Sequence, residues 1–187
     1  MWPWEHLAVG YLCYSVYSHL RGARPRSDAV VVLAFATQAP DLVDKPLAWS
    51  LSVLPSGQSL AHSLLTAAPL SAGVLALAAR ANRTDVGVAF ALGYLSHLAG
   101  DVIYPALLGG PANVAFLAWP VVPARADPAG PGLFARFSQY FGDYVARLGD
   151  PQLSGYVATE IGLLGVVLVL WLYDGMPGLP RPFASRQ

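Results

Sequence analysis

Seven ionisable side chains lie inside or at the ends of apolar stretches of this sequence. They are Glu5, His6, Asp41, Asp44, His62, His97 and Asp101. A charged group inside a membrane-spanning helix costs ~2.5 kcal/mol or more, so such residues are retained mainly where they have a function. Imidazole and carboxylate groups together are ligands for zinc, or for manganese or iron where carboxylates dominate. These residue types therefore indicate a candidate metal site.

Spacing brings two pairs of these residues together. His97 and Asp101 are four residues apart and Asp41 and Asp44 are three apart, so each pair lies on one face of a helix. Carboxylates held close together repel unless a cation or protons neutralise them. A divalent ion would neutralise them, and it could also support hydrolysis, because it lowers the pKa of a bound water and polarises a phosphoryl oxygen.

Five apolar segments must position these side chains. They run over residues 4–20, 27–43, 60–80, 84–108 and 154–173. About 20 apolar residues cross the ~30 Å hydrocarbon core of a bilayer. Segments three to five reach that length, whereas segments one and two have only about 17 residues each. We expect an all-α, integral membrane helical bundle of four to five transmembrane helices.

The composition agrees with a membrane protein. Charged residues make up 12% of the 187 residues, about half of the ~25% typical of soluble domains, and apolar residues make up 55%. Eleven basic and eleven acidic residues give a net charge of zero, so a nucleic-acid partner is not expected. We expect a multi-pass protein of the cell membrane, with a membrane lipid or lipid-linked substrate as its partner.

Arginine positions predict the orientation of the chain. Arginines lie between segments one and two, between segments three and four, and in the C-terminal tail. With five crossings these three places fall on one side, which the positive-inside rule assigns to the cytoplasm. The N-terminus is then extracytoplasmic. This orientation places all seven ionisable residues in the outer half of the bilayer, on four helices. The orientation argument used none of these residues, so their convergence is an independent result.

The connection between segments four and five differs from the rest of the chain. It begins with many Pro and Gly residues and continues as LFARFSQYFGDYVARL, in which aromatic residues recur at near-helical spacing. We interpret residues 109–153 as an extracytoplasmic cap or interfacial segment, containing either a helix at the membrane surface or a packing helix in a capping loop. Residues 1–175 are expected to form one membrane-embedded domain, and residues 176–187 a flexible tail.

Four short motifs, taken in order, resemble a known family. They are a histidine in the first helix, the string PDLVD near the end of the second segment, a His-Ser pair opening the third, and H-x-x-x-D in the fourth. Over about residues 1–105 this order is similar to the YdjM-like membrane-bound metal-dependent hydrolases. That family is distantly similar to zinc-dependent phospholipase C and nuclease P1. The resemblance implies one or two ions, zinc first, held by His6, Asp41, His62, His97 and Asp101.

Hydrolysis also requires a group that accepts a proton from water. The resemblance makes Asp44 either a further ligand or the base, and Glu5 is the other spare carboxylate, so both are predicted catalytic residues. We expect hydrolysis of an ester, preferably a phosphoester of a lipid that reaches the site laterally through the outer leaflet. The alternatives are a proton- or cation-conducting transporter and a non-catalytic metal-binding membrane protein.

Overall fold

The computed structural model describes residues 1–127, 130, 132–149 and 154–179. In these ranges the chain forms seven α-helices and one short 3₁₀ helix, with no β-strand, so the all-α prediction is confirmed. The α-helices are α1 (Pro3–Leu20), α2 (Ser27–Ala36), α3 (Ala39–Trp49), α4 (Leu64–Arg80), α5 (Thr84–Leu107), α6 (Leu133–Leu148) and α7 (Ser154–Tyr173). The 3₁₀ helix spans Ala115–Ala118.

Helix α5 is the centre of the bundle, and α1, α2 and α4 pack against it. Small residues allow this close packing. A Cβ atom on Gly93 would lie 2.9 Å from the carbonyl oxygen of Leu33, and one on Gly10 would lie 2.5 Å from Cγ2 of Thr37. Neither position therefore has room for a side chain, and α1, α2 and α5 are held in contact just beside the candidate site residues.

The second apolar segment does not form the single helix predicted over residues 27–43. It forms two helices, α2 and α3, which are separated at Thr37 and Gln38. Pro40 accounts for the break because it has no N–H to donate to the carbonyl of Ala36. At 10 and 11 residues, each helix is only ~15–17 Å long, too short to cross a ~30 Å hydrocarbon core.

The third segment begins later than predicted. Helix α4 starts at Leu64, and the hydroxyl of Ser63 caps it by accepting the backbone N–H of Leu65 at 3.1 Å. His62 therefore lies in the loop before the helix rather than in its first turn. The helices predicted from the other segments, and the helix predicted over the aromatic run, end within a residue or two of their predicted limits.

Among the described residues, two helices are long and apolar enough to cross a membrane. They are Thr84–Leu107 and Gly155–Tyr173, and Leu64–Arg80 is a shorter apolar helix. The predicted count of four to five spans is thus not confirmed. Only 11% of the apolar window of α7 is buried, so this helix exposes most of its apolar surface. Of the predicted cap and tail, residues 128–129, 131, 150–153 and 180–187 lie outside the described residues.

Candidate metal centre

The structure brings the predicted histidines and aspartates together at one end of the bundle. They are supplied by α1, by the first half of α3, by the loop before α4 and by the second half of α5. Four of them each offer one ligand atom, and these atoms all lie within 4.8 Å of one another. The four are Asp41, His62, His97 and Asp101.

The distances between these atoms fit one metal ion. Nε2 of His97 lies 3.1 Å from Nε2 of His62 and 3.6 Å from Oδ2 of Asp101. Nε2 of His62 lies 3.5 Å from Oδ2 of Asp101 and 3.4 Å from Oδ1 of Asp41. Ligand atoms bound at ~2.1 Å in a tetrahedral arrangement are ~3.4 Å apart. The observed separations of 3.1–3.6 Å are close to that value, and the Nε2 atom of His97 lies 3.8 Å from Oδ1 of Asp41.

The orientation of the two imidazoles also points to a cation. Nδ1 of His97 lies 2.7 Å from the carbonyl oxygen of Thr37, and Nδ1 of His62 lies 2.8 Å from Oδ2 of Asp44. A carbonyl or an ionised carboxylate can only accept, so both Nδ1 atoms donate. The two Nε2 atoms then direct lone pairs at each other, which is unfavourable unless a proton or a metal ion lies between them.

Unpaired polar atoms border the same space. Both ring nitrogens of His6 and Oδ1 of Asp41 are buried and have no hydrogen-bond partner. Buried polar atoms without partners are rare in folded proteins because each loses its hydration without replacement. The ring of His6 stacks on that of His97 at 3.7 Å, and its Nε2 lies 3.3 Å from Oδ1 of Asp101. His6 therefore borders the four-residue group, within reach of the oxygen of Asp101 that the group does not use.

The local field attracts positive charge. Burial alone would lower the pKa of His62, but contacts with Asp101, Asp41 and Asp44 outweigh it and raise the pKa to about 10. Burial would raise the pKa of Asp41, yet His62, Lys45 and His97 hold it well below its usual range. Both shifts have the same cause, because the field of the carboxylates favours positive charge on His62 and the neighbouring basic groups favour negative charge on Asp41.

Asp44 contacts the His62 loop with both of its oxygens. Oδ2 accepts the backbone N–H of Ser59 at 2.8 Å and of His62 at 3.2 Å, in addition to Nδ1 of His62. Oδ1 accepts the backbone N–H of Ala61 at 2.9 Å. The residue is fully buried. A carboxylate that accepts a hydrogen bond from one ring nitrogen of a histidine leaves the other ring nitrogen free to bind a metal.

Glu5 belongs to a different polar group. Its Oε2 accepts the backbone N–H of Trp2 at 2.6 Å, at the start of α1, and its Oε1 accepts the hydroxyl of Tyr156 at 2.7 Å. The hydroxyl of Tyr104 lies 3.3 Å from that of Tyr156. Although Glu5 is next to His6 in sequence, its carboxylate is engaged between α1 and α7 and is not one of the four grouped ligands.

Three contacts at the centre were not predicted from the sequence. Nε2 of Gln58 donates to Oδ2 of Asp101 at 2.8 Å, and the amino group of Met1 donates to Oδ1 of the same residue at 2.9 Å. Nζ of Lys45 donates to Oδ2 of Asp41 at 2.5 Å. The i, i+4 spacing of Asp41 and Lys45 could have suggested their pairing. Gln58 lies in a loop, so no periodic pattern in the sequence could have indicated its contact with Asp101.

Two cavities border the centre. One of about 420 Å³ is lined by Lys45 and by aromatic residues of the N-terminus, α3, α5 and α6. Helix α6 is held there by Trp2, whose ring lies 4.9 Å from Tyr144, and by the Tyr144 hydroxyl, which donates to Glu160 at 2.9 Å. A second cavity, of about 570 Å³, is lined by Gln58 and by Arg125, Asp127 and other polar residues. The first cavity has six aromatic residues in its lining, whereas polar and apolar residues line the second in equal numbers.

These features define an all-α membrane protein with a buried His/Asp centre suited to a metal ion. The comparison with known families agrees with this description. A family model described as YdjM inner membrane protein matches residues 1–178, and the chain belongs to this family. No curated protein and no solved structure matches the chain.

Proposed function

We propose that this protein is a membrane-embedded, metal-dependent hydrolase that acts on a phosphoester of a lipid at the outer face of the membrane. The observation that carries the proposal is the pair of Nε2 atoms of His62 and His97, 3.1 Å apart and both oriented as acceptors by their Nδ1 partners. Such a pair is stable only with a proton or a metal ion between the two nitrogens, and the adjoining aromatic cavity offers an apolar substrate a place beside it.

Each residue of the centre has a role in this proposal. Asp41, His62, His97 and Asp101 hold a divalent ion, zinc first and manganese or iron as alternatives. His6, whose Nε2 lies 3.3 Å from Oδ1 of Asp101, is a further ligand or completes a site for a second ion. When bound, the ion would polarise a phosphoryl oxygen and lower the pKa of a water molecule.

Three side chains around the ligands either orient a ligand or balance its charge. Asp44 fixes the tautomer of His62, and Gln58 holds the carboxylate of Asp101. The contacts of Asp44 favour this positioning role over the role of base that the sequence suggested. Lys45 offsets the charge of Asp41 and lies on the wall of the aromatic cavity, where it can meet a phosphate oxygen.

The distribution of apolar surface and arginine supports a lipid substrate at the outer face. Helix α7 exposes apolar side chains along its length, as a helix in contact with lipid does. Arginines flank the opposite ends of α1 and α5 from the metal centre. By the positive-inside rule this arrangement supports an extracytoplasmic position for the centre.

A screen of phospholipids and lipid phosphates with purified, metal-replete protein tests the proposal. We expect phosphate release or headgroup release that a chelator abolishes and zinc or manganese restores. The His97→Ala variant should be inactive, while His19→Ala, which removes a histidine at the opposite end of α1, should remain active. Absence of cleavage across the screen, with metal bound, would contradict the proposal.

A second candidate function, proton or cation transport, is favoured by one observation. A buried polar group surrounds Asp174, whose Oδ2 accepts the hydroxyls of Tyr11 and Ser15 and whose Oδ1 lies 2.7 Å from Nε2 of His19. Polar side chains thus occur at both ends of α1. If this candidate is right, the lumen of liposomes that contain the protein should acidify or take up cations. The His19→Ala variant should then show no proton or cation flux.

A further inference from the structure

The aromatic cavity beside the metal centre has the shape and chemistry of a site for one alkyl chain. Its volume of about 420 Å³ lies at the lower end of the ~300–1,000 Å³ range of ligand pockets. Its walls carry six aromatic rings, from Trp2, Trp49, Tyr104, Phe137, Tyr140 and Tyr144. An apolar ligand of modest size fits such walls, whereas both chains of a diacyl lipid would not fit within this volume.

Charged groups on the same walls indicate what the apolar part is attached to. Lys45 and Arg147 line the cavity, and Asp143 is the one acidic side chain among its lining residues. Lys45 also contacts Asp41, one of the four ligands, so this end of the cavity adjoins the metal centre. A ligand with an anion at the Lys45 end and an alkyl chain along the aromatic rings of α6 would therefore match both the charged and the aromatic parts of the lining.

Helix α6 presents two adjacent stripes, and one of them lines the cavity. Positions 133, 137, 140, 143, 144 and 147 line the cavity. Positions 134, 141, 145 and 148, the exposed stripe, lie about 100° further around the helix and outside the cavity. The cavity is open at this helix, since Phe137 is 49% exposed, but Phe134 of the exposed stripe is 85% exposed. The exposed stripe is apolar, as expected for a helix in the interface of a bilayer.

We propose that the cavity between α3, α5 and α6 binds the single alkyl chain of a lipid monophosphate, with the phosphate at Lys45 beside Asp41. The proposal rests on the proposed function, since it names the substrate class of the same centre. It assigns specificity for the chain to Phe137 and Tyr140 of α6, and it assigns recognition of the anion to Lys45.

Alkyl phosphates of increasing chain length provide the probe, and binding is measured rather than hydrolysis. Metal-loaded protein in lipid nanodiscs is titrated calorimetrically with butyl, octyl and dodecyl phosphate. Affinity should increase with length, by up to ~4-fold for each CH₂ group that the cavity buries, until the cavity is full. Affinity that is independent of chain length would overturn the proposal.

Two phenylalanines on α6 supply a matched pair of variants. Phe137→Ala removes a ring from the cavity wall and should weaken dodecyl phosphate binding ~10-fold, with little change for inorganic phosphate. Phe134→Ala removes a ring from the exposed stripe and should bind both ligands as the wild type does. Equal affinities for the two variants would overturn the proposal.

A third variant is a control for the possibility that Phe137→Ala weakens binding through a folding defect. Leu108→Trp fills the cavity from the end of α5 and should also weaken dodecyl phosphate binding while metal content is retained. The proposed hydrolase and the chain site can fail separately. Length-dependent binding without hydrolysis supports the chain site and contradicts the hydrolase, whereas hydrolysis that is indifferent to chain length contradicts the chain site alone.

Discussion

Nδ1 of His62 lies 2.8 Å from Oδ2 of Asp44, and that carboxylate also binds the backbone of the loop that carries the histidine. The orientation of His62 and the path of its loop therefore depend on one side chain. We therefore expect Asp44 to affect metal binding without itself contacting the metal.

The Asp44→Asn variant separates positioning from base catalysis. We expect metal affinity to fall ~10–100-fold, because Asn cannot hold the same tautomer of His62 with the same charge. Asp174→Asn is the matched control, since Asp174 is also buried and paired with a histidine, His19. Competition with a fluorescent zinc chelator measures both. A loss of turnover with wild-type metal affinity would instead make Asp44 the base.

Metal content should depend on the centre and not on histidine in general. Purified wild-type protein is expected to contain about one or two divalent ions per chain by elemental analysis. His97→Ala should lose most of this metal because the variant lacks one of the four grouped ligands. His19→Ala should keep it. Equal metal content in the two variants would remove the basis for the assigned site.

Gln58 should matter although it binds no metal directly. Its amide holds Oδ2 of Asp101 at 2.8 Å, so Gln58→Leu should lower metal affinity ~10-fold or more. Gln38→Leu is the matched control, because Gln38 donates to the backbone carbonyl of Pro3 at 3.1 Å. The same chelator competition applies. If both variants bind metal as the wild type does, the contact with Asp101 has no functional role.

Glu5→Gln tests the second carboxylate that the sequence suggested as a base. Both oxygens of Glu5 accept hydrogen bonds, from Trp2 and Tyr156, so we expect metal content to be unchanged and turnover to remain within ~10-fold of wild type. Thermal unfolding should shift downward because a buried hydrogen bond is weakened. A fall in turnover of ~10²–10⁴ with full metal content would restore Glu5 as the base.

The orientation of the chain is tested by cysteine labelling in a Cys13→Ser background. Asn113→Cys lies in the connection after α5, and Thr84→Cys lies at the first residue of α5, so the two positions mark opposite ends of that helix. We expect an impermeant thiol reagent to label Asn113→Cys in intact cells and Thr84→Cys only after lysis. The reverse pattern would place the metal centre on the cytoplasmic side.

Much of the centre could be predicted because helical geometry determines it. His97 and Asp101 share a face of α5 at any plausible helix boundary, and continuous apolar segments of about 20 residues predict long helices. The order of the segments then places His6 and Asp41 at the same end of the bundle. Only local periodicity and the alternation of helices were needed for these inferences.

Features that depend on loops and on tertiary contacts could not be predicted in this way. Thr37, Gln38 and Pro40 interrupt the apolar run of segment two, but a proline near the end of a segment can also kink a helix without ending it, so composition alone did not distinguish one helix from two. The placement of His62 outside α4 depends on backbone hydrogen bonds to Asp44, which is fifteen or more residues away from the amides it binds. Gln58 reaches Asp101 across 43 positions of the chain, beyond the range of any sequence pattern.

The break between α2 and α3 has a consequence for engineering and for evolution. The carbonyl that orients His97 is that of Thr37, and it is available because α2 ends there. A substitution such as Pro40→Ala would favour a continuous helix and so could increase thermal stability, yet it would draw that carbonyl into helical hydrogen bonding. On the proposed function, a more robust fold at this point would therefore lower metal affinity, as in other proteins where stability and activity oppose each other.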